Sequence, residues 1–170
     1  MLQNGAKRVY AVDVGCGQLA EGLRSDARVI NLENVNARCL SDEIIPEMLD
    51  FASVDVSFIS LRLVLPAAMK LIKPDGAMVC LIKPQFEAGR ERLNKRGVVK
   101  DKKVHRDVLS SVCEFVRSIG WKPLGLDYSP VKGPEGNIEY LIYMAPRQSQ
   151  RAEGVISPEE TVERAHAALD

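Results

Sequence analysis

Alternating strand-like and helix-like segments predict an α/β fold with a mostly parallel sheet covered on both faces. Short apolar, β-branched runs fall at residues 8–14, 28–33, 51–56 and 76–82, with helical or turn-like stretches between them. The stretch at 102–119 has a clear helical period. Two last runs, 121–128 and 137–144, are joined only by a turn region from Ser129-Pro130 to Gly136. That connection is too short for a crossover, so the terminal strand must run antiparallel to its predecessor.

Residues 8–14 (R-V-Y-A-V-D-V) form an apolar run ending in Asp and Gly, which predicts a strand, and residues 18–26 read as a helix. A second strand at 28–33 and a short helical piece lead to the third strand at 51–56, where apolar residues alternate around Ser53 and Asp55. Residues 61–72 are apolar nearly all round, predicting a buried helix that stops before Pro74-Asp75-Gly76. The continuous apolar run 76–82 is of the kind that parallel sheets bury on both faces. Residues 84–100 carry Gly, Arg and Lys without apolar period and predict a long loop. Asp101 is placed to cap a helix whose face is Val104, Val108, Val112, Phe115, Val116 and Ile119, with Gly120 at its end. His105, in a charged first turn, is expected at the surface, and Trp121 in the core. Ser157-Pro158-Glu159-Glu160 is a capping-box start for a last helix through Leu169.

The chain of 170 residues is long enough for one domain with a substantial core. No apolar run approaches the roughly 20 residues of a membrane span, and no secretory signal pattern opens the chain. Cys16, Cys39, Cys80 and Cys113 are widely spaced, so they are expected to be reduced, buried or half-buried thiols of a cytoplasmic protein, not metal ligands. Lys+Arg and Asp+Glu balance at 23 each, yet residues 83–106 hold 9 basic against 3 acidic residues. That local excess suggests an anionic partner, although a solvated loop entering a charged helix would look the same.

Three runs place one ionisable residue each at a strand boundary: Asp55 in D-V-S-F-I-S-L, Lys83 in L-I-K-P-Q-F-E-A-G, and Glu139 in G-N-I-E-Y. In an open α/β sheet, chemistry gathers outside the carboxyl ends of the strands. An Asp, a Lys and a Glu converging there could position and deprotonate a hydroxyl. Singly, each has a blander reading: a cap or turn for Asp55, a snorkelling chain for Lys83, an edge-strand ion pair for Glu139. A second pattern is Asp13-Val14-Gly15-Cys16-Gly17 between strand and helix, with Glu33 twenty residues after Asp13. That spacing resembles a cofactor Gly-rich loop followed by an acidic ribose ligand.

These strings resemble the TlyA (hemolysin-like) family of ribosomal RNA 2′-O-methyltransferases, relatives of the FtsJ-type enzymes. The likeness extends over N-G-A-K-R-V-Y-A-V-D-V-G at 4–15, N-A-R at 36–38, G-V-V-K-D at 97–101 and S-P-V-K-G at 129–133, besides the three runs above. It implies a Rossmann-like class I S-adenosylmethionine-dependent methyltransferase sheet over residues 1–146, followed by a linker and C-terminal helix over 147–170. It implies catalytic roles for Asp55, Lys83 and Glu139 in a Lys–Asp–Lys–Glu tetrad. Cofactor contacts would come from Asp13 (ribose), Gly15, Asn36 (adenine-side turn) and Asp55 (methyl end). Arg90, Arg92, Lys95, Arg96 and Lys100 would meet RNA phosphates, with ribosomal RNA or a ribosomal subunit as partner.

In the same comparison Met1 falls just after the family's Gly-rich cofactor turn. The expectation is therefore a chain without the first sheet strand, the first catalytic Lys and the RNA-binding domain, impaired in activity. Its exposed sheet edge would favour self-association. Two other readings are a non-catalytic RNA-binding remnant and, from the hemolysin label, a membrane-active protein. The last helix carries Glu159, Glu160 and Glu163, the wrong charge for anionic lipid.

Overall fold

The computed structural model describes residues 1–169, which divide into two compact units: Met1–Met48 with Val64–Leu71, and Leu49–Leu63 with the chain from Ile72 onward. In the first unit β1 (Val9–Val12) and β2 (Val29–Leu32) pair in parallel, from Val9↔Val29 to Val12↔Leu32. Every residue of both strands is half-buried. The helix expected over 18–26 shrinks to the single turn α1 (Glu21–Arg24), which buries nothing. Gly22 sits inside it, and a glycine costs a helix interior about 1 kcal/mol relative to alanine. The buried apolar residues of this unit are Ile45 and, from 64–71, Val64, Leu65, Ala68, Met69 and Leu71.

The second unit holds a four-stranded sheet in the order β3-β4-β6-β5, made of β3 (Leu49–Val54), β4 (Ile72–Ile82), β5 (Trp121–Tyr128) and β6 (Tyr140–Pro146). β3 and β4 are parallel, while β6 runs antiparallel to both neighbours. The last strand in sequence is the antiparallel one, as expected, and it lies inside the sheet. Tyr140, its first residue, pairs with Ile82 on one side and with Tyr128 on the other. The expected fifth strand has its anticipated bounds; the third, fourth and last are shifted or extended.

β4 starts four residues before the expected Gly76, because Lys73-Pro74-Asp75-Gly76 is carried within the strand instead of breaking it. A register shift between Leu49 and Phe51 accommodates the irregularity. A Cβ on Gly76 would lie 2.9 Å from the Asp50 carbonyl oxygen, so only glycine lets the two backbones approach. The helix expected over 61–72 is α2 (Leu61–Ala68) with Pro66 inside, finished by a 3₁₀ turn over Met69–Leu71. Proline has no N–H for the helical ladder, which limits the helix's length.

The expected loop at 84–100 opens with a one-turn helix, α3 (Pro84–Glu87). Then α4 (Lys102–Ser118) begins where Asp101 accepts from the Lys103 N–H at 2.8 Å, the anticipated cap. His105 is fully buried, contrary to expectation, and so are Leu109 and Cys113 at the same four-residue spacing. α5 (Pro158–Leu169) starts with the Glu160 N–H on Ser157 Oγ at 3.2 Å and buries Val162 and Ala165. Lys102 and Arg106 of α4 both pair with Glu163 of α5. Trp121 is in the core as expected. The cysteine expectation holds for only two residues: Cys80 and Cys113 are buried, whereas Cys16 and Cys39 are exposed. Both exposed thiols belong to the first unit, Cys16 on a loop and Cys39 at the end of the 3₁₀ turn Ala37–Cys39, where strands of this length leave little interior.

Candidate active site

Parallel strands β3 and β4 end side by side, Val54 opposite Cys80. Asp55 is the first residue after β3, and Lys83 the first after β4. Lys83 Nζ lies 2.7 Å from Asp55 Oδ1 and donates to Ser57 Oγ at 3.0 Å. The lysine side chain is only 12% exposed while that of Asp55 is 69% exposed. A pair with one partner so open contributes little stability; its effect is to aim a sheltered amine at an accessible carboxylate.

The two motif strings that carry Asp55 and Lys83 meet at further points. Phe58 and Phe86 rings lie 5.1 Å apart. Ser60 Oγ and the Leu61 N–H both donate to the Glu87 carboxylate at 2.7 Å, so Glu87 from the second string caps α2 of the first. Burial pushes the Glu87 pKa up, outweighing the opposing bonds from Ser60 and Leu61. One string is therefore held by the other through an ion pair, a ring contact and a helix cap.

Glu139 comes just before β6, one step beyond the Ile82–Tyr140 pair, so the register sets it opposite Lys83. It is 6% exposed. Its Oε1 accepts from Gln85 Nε2 at 3.1 Å, while the other end of that amide, Gln85 Oε1, is buried without a hydrogen bond among the described residues. A Cβ on Gly133 would stand 2.6 Å from Glu139 Oε1, so a larger residue there would have to displace the buried carboxylate. The Ser129 N–H also holds the Glu139 carbonyl at 2.8 Å. Asp55 and Lys83 are thus brought into contact, and Glu139 is seated at the same end of the sheet through Gln85.

Gln85, Gly133, Ser57 and Phe58 are site residues that sequence reasoning did not single out. Gln85 and Phe58 lie inside the motif strings, which was the available signal. Phe58 is 91% exposed and adopts φ 63°, rare for an aromatic residue.

In the first unit, the exposed Asp13 follows β1 at its carboxyl end. Its Oδ1 accepts from the Gly15 N–H at 2.7 Å. Asn36 spends its Oδ1 on Arg38, accepting from the backbone N–H at 3.0 Å and from Nε at 3.3 Å, so its amide NH₂ is what remains for a ligand. Glu33 is engaged internally by the Gly17 N–H at 2.9 Å and by Arg24 at 3.3 Å.

Arg90, Arg92, Lys95, Arg96 and Lys100 are all exposed. Arg92 pairs with Asp107 at 3.1 Å. The side chains of Lys95, Arg96 and Lys100 make no ion pair among the described residues.

An open α/β sheet with one antiparallel strand, and an Asp–Lys pair at its carboxyl edge, define the class: a methyltransferase-type sheet. A Listeria monocytogenes structure provisionally named an S-adenosylmethionine dependent methyltransferase shares this fold, at TM-score 0.61 and 14% identity over 85% of this chain and 83% of that one. The family profile of FtsJ-like methyltransferases matches residues 1–145, and the chain belongs to that family. It is 41% identical, over 97% of its length, to the 16S/23S rRNA (cytidine-2′-O)-methyltransferase TlyA of Mycobacterium tuberculosis. It is 48% identical, over 99% of its length, to YqxC of Bacillus subtilis, whose name assigns it provisionally to the rRNA methyltransferases. It spans 61% of the length of each of these two relatives. A Streptococcus thermophilus structure provisionally named a hemolysin superposes at TM-score 0.91 with 44% identity, over 99% of this chain and 61% of that one.

Proposed function

We propose that this chain carries the catalytic centre of an S-adenosylmethionine-dependent ribosomal RNA ribose 2′-O-methyltransferase. The observation that carries the reading is the sheltered Lys83 amine, 2.7 Å from Asp55 at the carboxyl ends of two parallel strands. S-adenosylmethionine, when bound, supplies an electrophilic sulfonium methyl. The chain's own residues do the rest. In its neutral form Lys83 Nζ would take the proton of a ribose 2′-hydroxyl as that oxygen bonds to the methyl carbon and the carbon–sulfur bond breaks, with the thioether leaving. Asp55 and Ser57 fix the amine's direction, and Glu139, steadied by Gln85, bounds the same edge.

Asp13, Gly15, Asn36 and Asp55 are the proposed cofactor contacts. The exposed Asp13 carboxylate suits a ribose hydroxyl. Arg90, Arg92, Lys95, Arg96 and Lys100 are the proposed phosphate contacts, and the ribosomal subunit the proposed partner in the cytoplasm. Phe58 offers an open aromatic face beside Asp55 for stacking a nucleobase, an interaction of about 1–3 kcal/mol per base. β3 ends the four-stranded sheet and its Phe51 is 43% exposed, which supports self-association through that edge.

The experiment is methyl transfer from labelled S-adenosylmethionine to purified ribosomal RNA and subunits, with calorimetric binding of the cofactor measured beside it. Label on a ribose 2′-oxygen supports the reading. Cofactor binding without transfer, or RNA binding without cofactor binding, replaces it with a non-catalytic RNA-binding role. Among the described residues no helix is long and apolar enough to cross a membrane.

A further inference from the structure

The basic segment is an ordered turn. The Asn94 N–H donates to the Val98 carbonyl, and the Gly97 N–H to the Asn94 carbonyl, each at 3.0 Å. Gly97 takes φ +74° to close it. Asn94 Oδ1 accepts from the Arg96 and Val98 N–H groups at 2.8 and 3.0 Å. The tip therefore presents Lys95 and Arg96 outward, with exposed Lys100 just beyond, while Val98 and Val99 are buried.

What anchors this turn comes from the segment that carries Glu139. Asn137 is 3% exposed; its Oδ1 accepts from the Val99 N–H at 3.1 Å and its Nδ2 donates to the Gly97 carbonyl at 3.2 Å. The Val99 carbonyl lies 3.0 Å from His105 Nε2. A carbonyl can only accept, so Nε2 carries the hydrogen, and Nδ1 shares a hydrogen bond with the Tyr140 hydroxyl at 2.8 Å. Both polar groups of the Val99 backbone are thus tied to residues flanking Glu139: directly by Asn137, and through His105 by Tyr140. Buried networks of this kind hold one geometry because a broken member leaves an unsatisfied group behind.

We propose that Asn137 and His105 form a clamp that fixes the Asn94–Lys100 turn relative to Glu139, so that an RNA phosphate on Lys95, Arg96 or Lys100 sets the position of a ribose at the catalytic carboxylate. Asn137 and His105 are positioning residues in this scheme. The proposal rests on the RNA reading above, but its test does not require methyl transfer.

The variant is Asn137→Ala, which is neutral and touches none of the exposed cations. Amide exchange at Val99 and binding of fluorescent 16S and 23S rRNA across a salt series are read together. The expected result is a released Val99 amide and RNA binding weakened about fivefold to tenfold, with a shallower salt dependence. Each lost phosphate contact lowers the log–log slope by about 0.7–0.9. Lys95→Gln/Arg96→Gln, which removes charge without loosening the turn, should lower the slope likewise while Val99 stays protected. Should Asn137→Ala not fold, Tyr140→Phe loosens the His105 arm alone and should shift RNA binding in the same direction by a smaller factor.

In transfer assays, Asn137→Ala raises KM for RNA and leaves KM for S-adenosylmethionine unchanged. A released Val99 amide with unchanged RNA affinity and slope overturns the proposal, as does an unchanged slope in the Lys95/Arg96 variant. Clamp-dependent RNA binding with no methyl transfer by the wild-type chain overturns only the enzymatic reading.

Discussion

The two units differ in how they hold their strands. In the first, β1 and β2 form a two-stranded sheet with no fully buried residue. In the second, Ala77, Met78, Cys80 and Ile82 of β4 and Tyr140, Ile142 and Met144 of β6 are almost wholly excluded from solvent. Two paired strands are marginal without further packing, so the first unit should open locally well before the second. The candidate residues divide the same way: the proposed acid–base groups stand on the well-packed unit, and Asp13, Gly15 and Asn36 on loops of the thinner one. Reacting atoms need fixed geometry, whereas loops that admit a ligand come from the less stable parts of a fold.

The largest expected effect tests where the chemistry lies. Lys83→Met should reduce methyl transfer by about a hundredfold to ten-thousandfold, the usual range for losing a positioned acid–base group. Its melting temperature should barely move, since the Asp55 partner is largely open to solvent. Retained transfer would remove the second unit from the reaction. Packing is tested next. Leu109→Ala, at a fully buried position, should cost about 2–5 kcal/mol in denaturant unfolding. Val12→Ala in half-buried β1 should cost under about 1 kcal/mol. Equal costs would erase the contrast between the units.

Thiol labelling sharpens the contrast without mutation. Cys16 and Cys39 of the first unit should react with a disulfide reagent in the native protein, and Cys80 and Cys113 only on unfolding. Burial pushes the Cys113 thiol up to about 11 and raises that of Cys80 as well, so thiolate is scarce at both. The smallest effect is a pH step. The Arg28 side chain, then its backbone N–H, hold the Asp26 carboxyl at about 2, below its ordinary 3.8. A depressed carboxyl stabilises above its ordinary value, and that contribution disappears as pH falls from 3.8 toward 2. Exchange of the Val29 amide, bonded to the Asp26 carbonyl at 2.9 Å, should quicken over that range and lose the step in Asp26→Asn. Glu87 in the second unit has the opposite sign: burial raises its pKa, so acidification relieves a cost there.

Much of the second unit was legible in the sequence because its signals are local. The expected 121–128 strand is β5, and Asp101 caps α4 as the pattern required. Asp55 and Lys83 were identified through their motif strings, and the structure puts them in contact. What escaped was set by tertiary partners. His105 looked like a surface residue among charged neighbours, yet its four-residue spacing with Leu109 and Cys113 continues the buried face of α4. Lys73-Pro74-Asp75-Gly76 carried every mark of a turn, and the ladder skips it, but the pairs on either side, Ile72 with Leu49 and Ala77 with Phe51, hold the strand across it. The helix expected over 18–26 failed for the converse reason: its few apolar residues had nothing to bury against, and Leu23 is left 44% exposed. Gln85 could not be recognised as the partner of Glu139 because 54 residues separate them.

The place of β6 has a consequence for synthesis. Translation delivers β3, β4 and β5 in turn, but β5 has no neighbour until residues 140–146 arrive, since β6 lies between it and β4. The sheet can be finished only by inserting the strand made last, and the Glu139 carboxylate comes into register in that same event. Pairings so distant along the chain form slowly. A nascent chain halted before Tyr140 would therefore expose an open β4 edge to its neighbours on a polysome.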